Sequence, residues 1–233
     1  MIVSINQPAY LPWLGYFHRI AISDLHIVLD HVQFEKNSFT NRNKLRTKEG
    51  SCWLTAPVKT KGKFGELGIN KVETASELRW TAKHAATIRF NYAKAAHYTE
   101  NAAYLEQIYA RDWPVLNDLL REMTPYMLKA FGIKTRIVYS SDMAPEGSKD
   151  DLVLNLCRAA KATTYISGPL GRNYLREGLF QEAGIRVVYH DYVHPTYPQA
   201  FPGFEPYMAA LDLLLNCGDE SLKVLSSGQP SLL

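Results

Sequence analysis

From Gly132 onward the chain keeps one rhythm, and that rhythm most constrains its fold. Ile133 to Ser140 reads as a strand. Ser148 to Ala160 reads as a helix that opens on a Ser-x-x-Asp capping pattern, Ser148 to Asp151. Thr163 to Ile166 is a second strand, Gly171 to Ala183 a second helix and Ile185 to His190 a third strand. Strands that alternate with helices of about a dozen residues build βαβ units and a parallel sheet. The amino terminus repeats the pattern, with a strand at Ile2 to Ile5, a helical run at Leu14 to Ala21 and a strand at His26 to Leu29 that ends on Asp30. We therefore expect an α/β fold, a mostly parallel sheet flanked by helices in a Rossmann-like three-layer arrangement. The 233 residues suit a single domain over 1–233.

Between the two halves the pattern changes. Ser76 is a candidate N-cap, and Trp80, His84, Ile88 and Tyr92 recur every four residues on one helical face. Further helices are expected at Asn101 to Arg111 and Pro114 to Phe131, with Pro125 kinking or breaking the latter and Gly132 closing it. These helices form an insertion around 76–131. Before them, Lys36 to Lys48 carries five basic residues and no acidic one, and is expected to be a loop. Cys52 to Val58 reads as a strand running into Pro57, and Ile69 to Val72 as a short strand. After the last parallel strand, His194 to Pro206 is rich in Pro and aromatics. It leads into a helix at Tyr207 to Asn216 and a tail, about 221–233, expected to fray.

Several function classes lack their signatures. A net charge of +3 is too small for wholesale nucleic-acid coating. No apolar run approaches the roughly 18 residues of a membrane span, and no signal peptide is visible. Three scattered cysteines, Cys52, Cys157 and Cys217, point to a reduced, cytoplasmic protein without a zinc motif. There is no Walker A loop, dinucleotide fingerprint, Gly-x-Ser-x-Gly elbow or His-Glu-x-x-His. The seven histidines are not spaced as metal ligands. We expect no metal and no tightly bound cofactor.

In parallel sheets ligands bind outside the carboxyl ends of the strands. Gln7, Tyr10 and Trp13 follow the first strand, Asp30 and Gln33 the second, and Ser167-Gly168 a later one. Ser167-Gly168 has two readings, an anion-binding turn or a tight strand-to-helix connection. The basic run is either a solvated loop or an anion site. Asn41 and Asn43 flank Arg42, and Lys44 follows, which adds directional hydrogen bonding to charge. Tyr92, Tyr197, Gln199 and Asp212 complete the polar set. Catalysis would fall to His84, His194 and Asp30. If His84 and His194 converge on Gln7 and Tyr10, a histidine base with amide and phenol donors would serve acyl or aminoacyl transfer. Against this, a histidine such as His84 on an apolar face is commonly structural.

The chain resembles the WbqC-like protein family over nearly its whole length. The resemblance is carried by Gln7-Pro8-Ala9-Tyr10-Leu11-Pro12-Trp13-Leu14-Gly15-Tyr16-Phe17, Val32-Gln33-Phe34, Asn41-Arg42-Asn43, Lys83-His84, Tyr165-Ile166-Ser167-Gly168 and His194-Pro195 with Tyr197 and Gln199. Ala209-Ala210 departs from the more polar start expected of the final helix. The family is associated with bacterial O-antigen and related surface-polysaccharide clusters and with natural-product pathways. The leading reading is a group-transfer enzyme acting on small molecules, in the cellular setting that the resemblance implies. Its donor would be a thioester, on coenzyme A or on an acyl or peptidyl carrier protein, and its acceptor an amine such as an amino sugar. A weaker likeness is to nucleotidylyltransferases with a His-x-Gly-His signature, where Trp13 and Tyr16 stand in the histidine places. That likeness implies a nucleotidylyltransferase-like enzyme with a degenerate site. A non-catalytic partner in polysaccharide assembly is the third reading.

Overall fold

The computed structural model describes residues 1–63 and 65–228. Its centre is a five-stranded sheet, built from β1 (Ile2–Asn6), β2 (Leu25–Val28), β5 (Arg136–Tyr139), β6 (Thr164–Ser167) and β7 (Arg186–Tyr189). The order is β5-β2-β1-β6-β7, and every neighbouring pair is parallel. The chain builds outward from β1 through β2 to β5, then returns to the other side of β1 with β6 and β7. The order therefore reverses between β1 and β6, where the crevice for a ligand lies in such sheets.

Strand alternation divides the two faces. Val3, Ile5, Leu25 and Ile27 point to one side and pack with Leu152, Leu156 and Cys157 of α5 (Lys149–Ala159) and Phe180 of α6 (Glu177–Glu182). The opposite side faces α1 (Leu14–Ala21), whose residues from Leu14 to Ile20 are all buried. Beyond α1 lie α2 (Trp80–Tyr92), α3 (Tyr98–Ala110), α4 (Leu116–Ala130), α7 (Ala210–Cys217) and α8 (Ser221–Ser227). Tyr10, Phe17, Ile20, Leu116 and Leu215 sit within this larger core, each fully enclosed. A buried side chain of this size contributes about 1.5–3 kcal/mol. The expected three-layer α/β architecture is the one found.

Several local expectations change. The basic run is not a loop: Arg42–Thr47 is β3, paired antiparallel with β4 (Gly50–Thr55) as a separate two-stranded sheet. Its alternation is of buried Asn43 and Leu45 with more exposed Arg42 and Lys44, so polar backbone partners do the work of an apolar face. Asn43 donates to Leu11 O, and Ala209 N–H donates to Lys44 O. Ile69–Lys71 is a 3-10 turn rather than a strand. Pro125 does not break α4, whose buried Leu119, Leu120, Met123 and Met127 hold it by packing. Pro114 precedes that helix instead of opening it. The expected helix at Gly171 to Ala183 is split into a 3-10 turn, Pro169–Asn173, and the shorter α6. The expected fraying fails at 221–227, where α8 docks Leu225 into the core. The tail residues 229–233 lie outside the described residues. Among the described residues, no helix is long and apolar enough to cross a membrane.

Candidate functional site

The expected site residues fall into separate polar groups. Tyr10 is fully buried, and its hydroxyl meets His84 Nδ1 at 2.7 Å and Tyr109 Oη at 2.5 Å. Trp80 packs edge-on against both Tyr10 and His84. Burial lowers the His84 pKa to about 4, so the ring is neutral at pH 7. This group ties the turn after β1 to α2 and α3 and is closed to solvent.

Asp30 anchors a second group just past the end of β2. Its enclosed carboxylate accepts from Ser141 N–H at 2.9 Å, Ser141 Oγ at 2.9 Å, Arg121 Nη2 at 3.0 Å, Asn117 Nδ2 at 3.1 Å and Ser140 Oγ at 3.2 Å. Burial alone raises the pKa, but these donors outweigh it and hold Asp30 below its ordinary value. Gln33 nearby spends its amide on the Leu67 N–H and the Phe34 carbonyl.

A third group surrounds Asp212. Tyr92 Oη, Tyr197 Oη and Gln199 Nε2 each donate to its carboxylate at 2.8 Å. Arg46 N–H donates to Tyr92 Oη at 2.9 Å. Asp212 is the partnered acid that an otherwise apolar helix needs. The hairpin residues also have backbone partners: Asn41 donates to Ala56 O, and Arg42 donates to Asn37 O while lying over the Trp53 ring. Lys44 reaches the same ring.

The fourth group lies at the reversal point, and several of its members carry no sequence motif. Of the even positions of β1 and β2, Ser4, Asn6 and His26 are polar, while Ile2 and Val28 are apolar. Ser4 Oγ meets His26 Nδ1 at 2.8 Å. Arg19 of α1 leans back toward the strand ends, as helical side chains do. Its Nη1 donates to Asn6 Oδ1. Its guanidinium also occupies the space a side chain on Gly168 would need: a Cβ there would lie 3.1 Å from Nη1 and 3.2 Å from Nη2. Ser167, one residue earlier, is buried, and its hydroxyl donates to Gly168 O.

Beside Arg19, His18 Nδ1 and His190 Nε2 share a 2.7 Å hydrogen bond. Their ring centres are 5.0 Å apart with planes 18° from parallel, the geometry of two rings joined edge to edge through that bond. Burial, and then the Arg19 charge, lower the pKa of His18 to about 4 and of His190 to about 3. Both rings are therefore neutral at pH 7. Tyr192 packs against both. Trp13 lies edge-on to Tyr192, with its six-membered ring over Gly15, where even a Cβ would collide at 2.4 Å. Tyr207 joins the wall against Trp13 and His194, and Gln7 is exposed on the turn after β1.

His194 stands at the far end of this wall. Its Nδ1–H donates to Pro195 O at 2.8 Å, which fixes the tautomer and leaves Nε2 as an unpaired acceptor. Burial lowers its pKa, against the Pro195 bond that raises it. His84 and His194 have no neighbour in common among these contacts. The structure thus links Trp13, His194 and, through Tyr192, the surroundings of Gly168, and leaves Tyr10, His84 and Asp30 in closed groups of their own. His18, Arg19, His190 and Asn6 were missed from the sequence. Their signal was the polar even positions of two central strands facing a short helix that buries a His-Arg pair.

Among the described residues, no three His, Cys, Asp or Glu side chains gather as a metal ion would require. No solved structure matches the chain. An uncharacterized protein of Mycobacterium tuberculosis is 38% identical over 221 residues, which cover 94% of this chain and 95% of that protein. The model of the WbqC-like protein family matches residues 7–224, from the turn after β1 to α8. By that match and that relative, the chain belongs to the WbqC-like protein family.

Proposed function

We propose that the chain is a group-transfer enzyme that moves an acyl or aminoacyl group from a thioester to an amine such as that of an amino sugar. The observation that supports this reading is His194. It is neutral, its tautomer is fixed by Pro195, its enclosed Nε2 is unpaired, and its ring packs edge-on against Tyr207, a residue 58% exposed. Tyr207 sits at φ +61°, a left-handed backbone that costs a non-glycine residue about 1 kcal/mol or more. It is the element that lifts to admit the acceptor. The amine nitrogen attacks the thioester carbonyl carbon, the C–N bond forms and the C–S bond breaks. The thiolate leaves, and His194 Nε2 takes the amine proton and passes it to the leaving sulfur. Trp13, Tyr197 and Gln7 line the approach. In this reading Asp30 and His84 have structural roles. The donor is carried on coenzyme A or a carrier protein, no tightly bound cofactor takes part, and the setting is surface-polysaccharide or natural-product synthesis in the cytoplasm.

The strand order and the place of Trp13 to Tyr16 at the start of α1 favour a second reading, nucleotidylyl transfer. A thermal-shift panel of nucleotides, acyl-coenzyme A thioesters, aminoacyl thioesters and nucleotide-sugars separates the two. Stabilisation by a thioester, followed by thiol release when an amino sugar is added, is expected. With that pair, His194→Asn should lower kcat about 10²–10⁴-fold and leave KM nearly unchanged. Stabilisation by ATP alone would sink acyl transfer, and no response to any compound would sink both enzyme readings.

A further inference from the structure

We infer that Arg19, framed by Asn6 and Gly168, is the seat of a singly charged oxyanion, a carboxylate or a phosphodiester, at the carboxyl ends of β1 and β6. The inference deepens the group-transfer reading and depends on it only for which small molecule carries the anion.

Three observations converge. Arg19 is 8% exposed, burial disfavours its charge, and among the described residues it has no carboxylate partner. A buried cation without a counter-charge is costly, and proteins keep one where something else supplies the charge. Next, its donors are unevenly used. Nη1 is held by Asn6, while Nε is enclosed without an acceptor and Nη2 makes no hydrogen bond. Nε–H and one Nη2–H point the same way from the guanidinium, forming the edge that two oxygens of a carboxylate or phosphate grip together. Lastly, Gly168 lets the guanidinium lie against its backbone, where a Cβ would sit 3.1 Å from Nη1 and 3.2 Å from Nη2, although φ −67° and ψ 162° are open to any residue. The glycine is thus required by the place of the guanidinium and not by its own backbone.

Charge chooses between oxyanions. Arg19 is the one cation of the group, because His18, His26 and His190 are neutral, and Asp191 beside His190 is already paired with Arg172 at 2.6 Å. One negative charge balances one guanidinium, and a phosphomonoester dianion would leave a second charge buried and unpaired. The carboxylate of an amino-acid-like group and the phosphodiester linkage of a carrier both fit. The experiment distinguishes them.

The arginine Nε–H resonance of Arg19 can be followed by NMR in the intact protein during titration with acetate, dimethyl phosphate and inorganic phosphate. Saturable movement at millimolar acetate or dimethyl phosphate is expected, and whichever binds tighter names the ligand group. Gly168→Val, which keeps every charge and pushes the guanidinium out of its place, should weaken that binding about tenfold or more. Arg19→Lys should lose the preference for two-oxygen anions if it folds; Gly168→Val decides the question if it does not. No movement with either monoanion, movement with inorganic phosphate alone, or unchanged binding in Gly168→Val would overturn the seat. Turnover is not read in this test. Binding without transfer would leave the seat standing and remove the enzyme reading, and His194→Asn should leave the titration unaltered.

Discussion

Asp30 and Arg19 are two charges buried at the carboxyl ends of adjacent strands, and they are treated in opposite ways. Asp30 receives five hydrogen bonds, one from the guanidinium of Arg121, which itself lies over the Tyr139 ring and reaches Asp142. Arg19 receives help from one amide oxygen. The fold can therefore satisfy a buried charge fully when the charge belongs to the scaffold. Asp30 pins the end of β2 to the end of β5 through Ser140 and Ser141, and to α4 through Asn117 and Arg121. Arg19 pins nothing of comparable extent. The contrast separates a closed structural group from one left open for a partner.

The largest effect is expected at the closed group. Asp30→Ala removes the acceptor of five donors and leaves several of them buried and unpaired, which should cost about 3–5 kcal/mol in urea unfolding. A loss under about 1 kcal/mol would mean that Asp30 is not the anchor its contacts make it, and the contrast with Arg19 would collapse.

Acid should separate the two regions next. His18, His26 and His190 face Arg19 and are held near 4, 3 and 3, by burial first and then by the Arg19 charge. The unfolded chain binds these protons near pH 6.5, whereas the folded chain refuses them until much lower pH. Stability therefore falls as pH drops below about 6.5, at up to about 1.4 kcal/mol per pH unit for each histidine. Asp30 works in another window, since a carboxylate held low contributes fully above its unfolded value near 3.9 and loses that contribution only below it. Urea unfolding repeated from pH 8 to pH 5 should show the steep histidine loss before Asp30 titrates. His26→Gln should flatten the slope by about one proton. A flat profile across that range would mean that these rings, and His84, which is held near 4 as well, are not kept neutral.

This contrast also explains what the sequence disclosed. The parallel sheet was legible because strand and helix periods differ and because Ser148 and Gly132 mark helix ends. The hairpin was not, because Arg42 to Thr47 alternates polar residues whose inward members, such as Asn43, bond to backbone instead of forming an apolar face. Asp212 and its donors were legible one by one, since a lone acid in an apolar helix demands partners. Arg19 was not legible, because one arginine in a short helix is ordinary until the fold brings Asn6 and Gly168 to it from strands 13 and 149 positions away in the chain. Asp30 and His84 read as catalytic for the opposite reason. Polar residues near strand ends look alike in sequence whether their partners come from the protein or from a ligand, and only the tally of donors and acceptors tells them apart.

The smallest effect concerns Arg42, the residue whose sequence context most resembled an anion site. In the fold it lies over Trp53, at 4.6 Å from the ring centre, and donates to the Asn37 carbonyl at 2.8 Å on the outer face of the hairpin. Exposed contacts of this kind contribute about 0.5–1 kcal/mol. Arg42→Ala should therefore lower stability by no more than that. It should also leave the Arg19 Nε–H response to acetate or dimethyl phosphate unaltered, because Arg42 belongs to the separate two-stranded sheet and makes no contact with Asn6 or Gly168. If Arg42→Ala instead weakens that response by about tenfold, the hairpin and the strand ends hold one anion together. The two buried charges would then no longer be the right pair to compare, and Arg19 would have to be set beside Arg42.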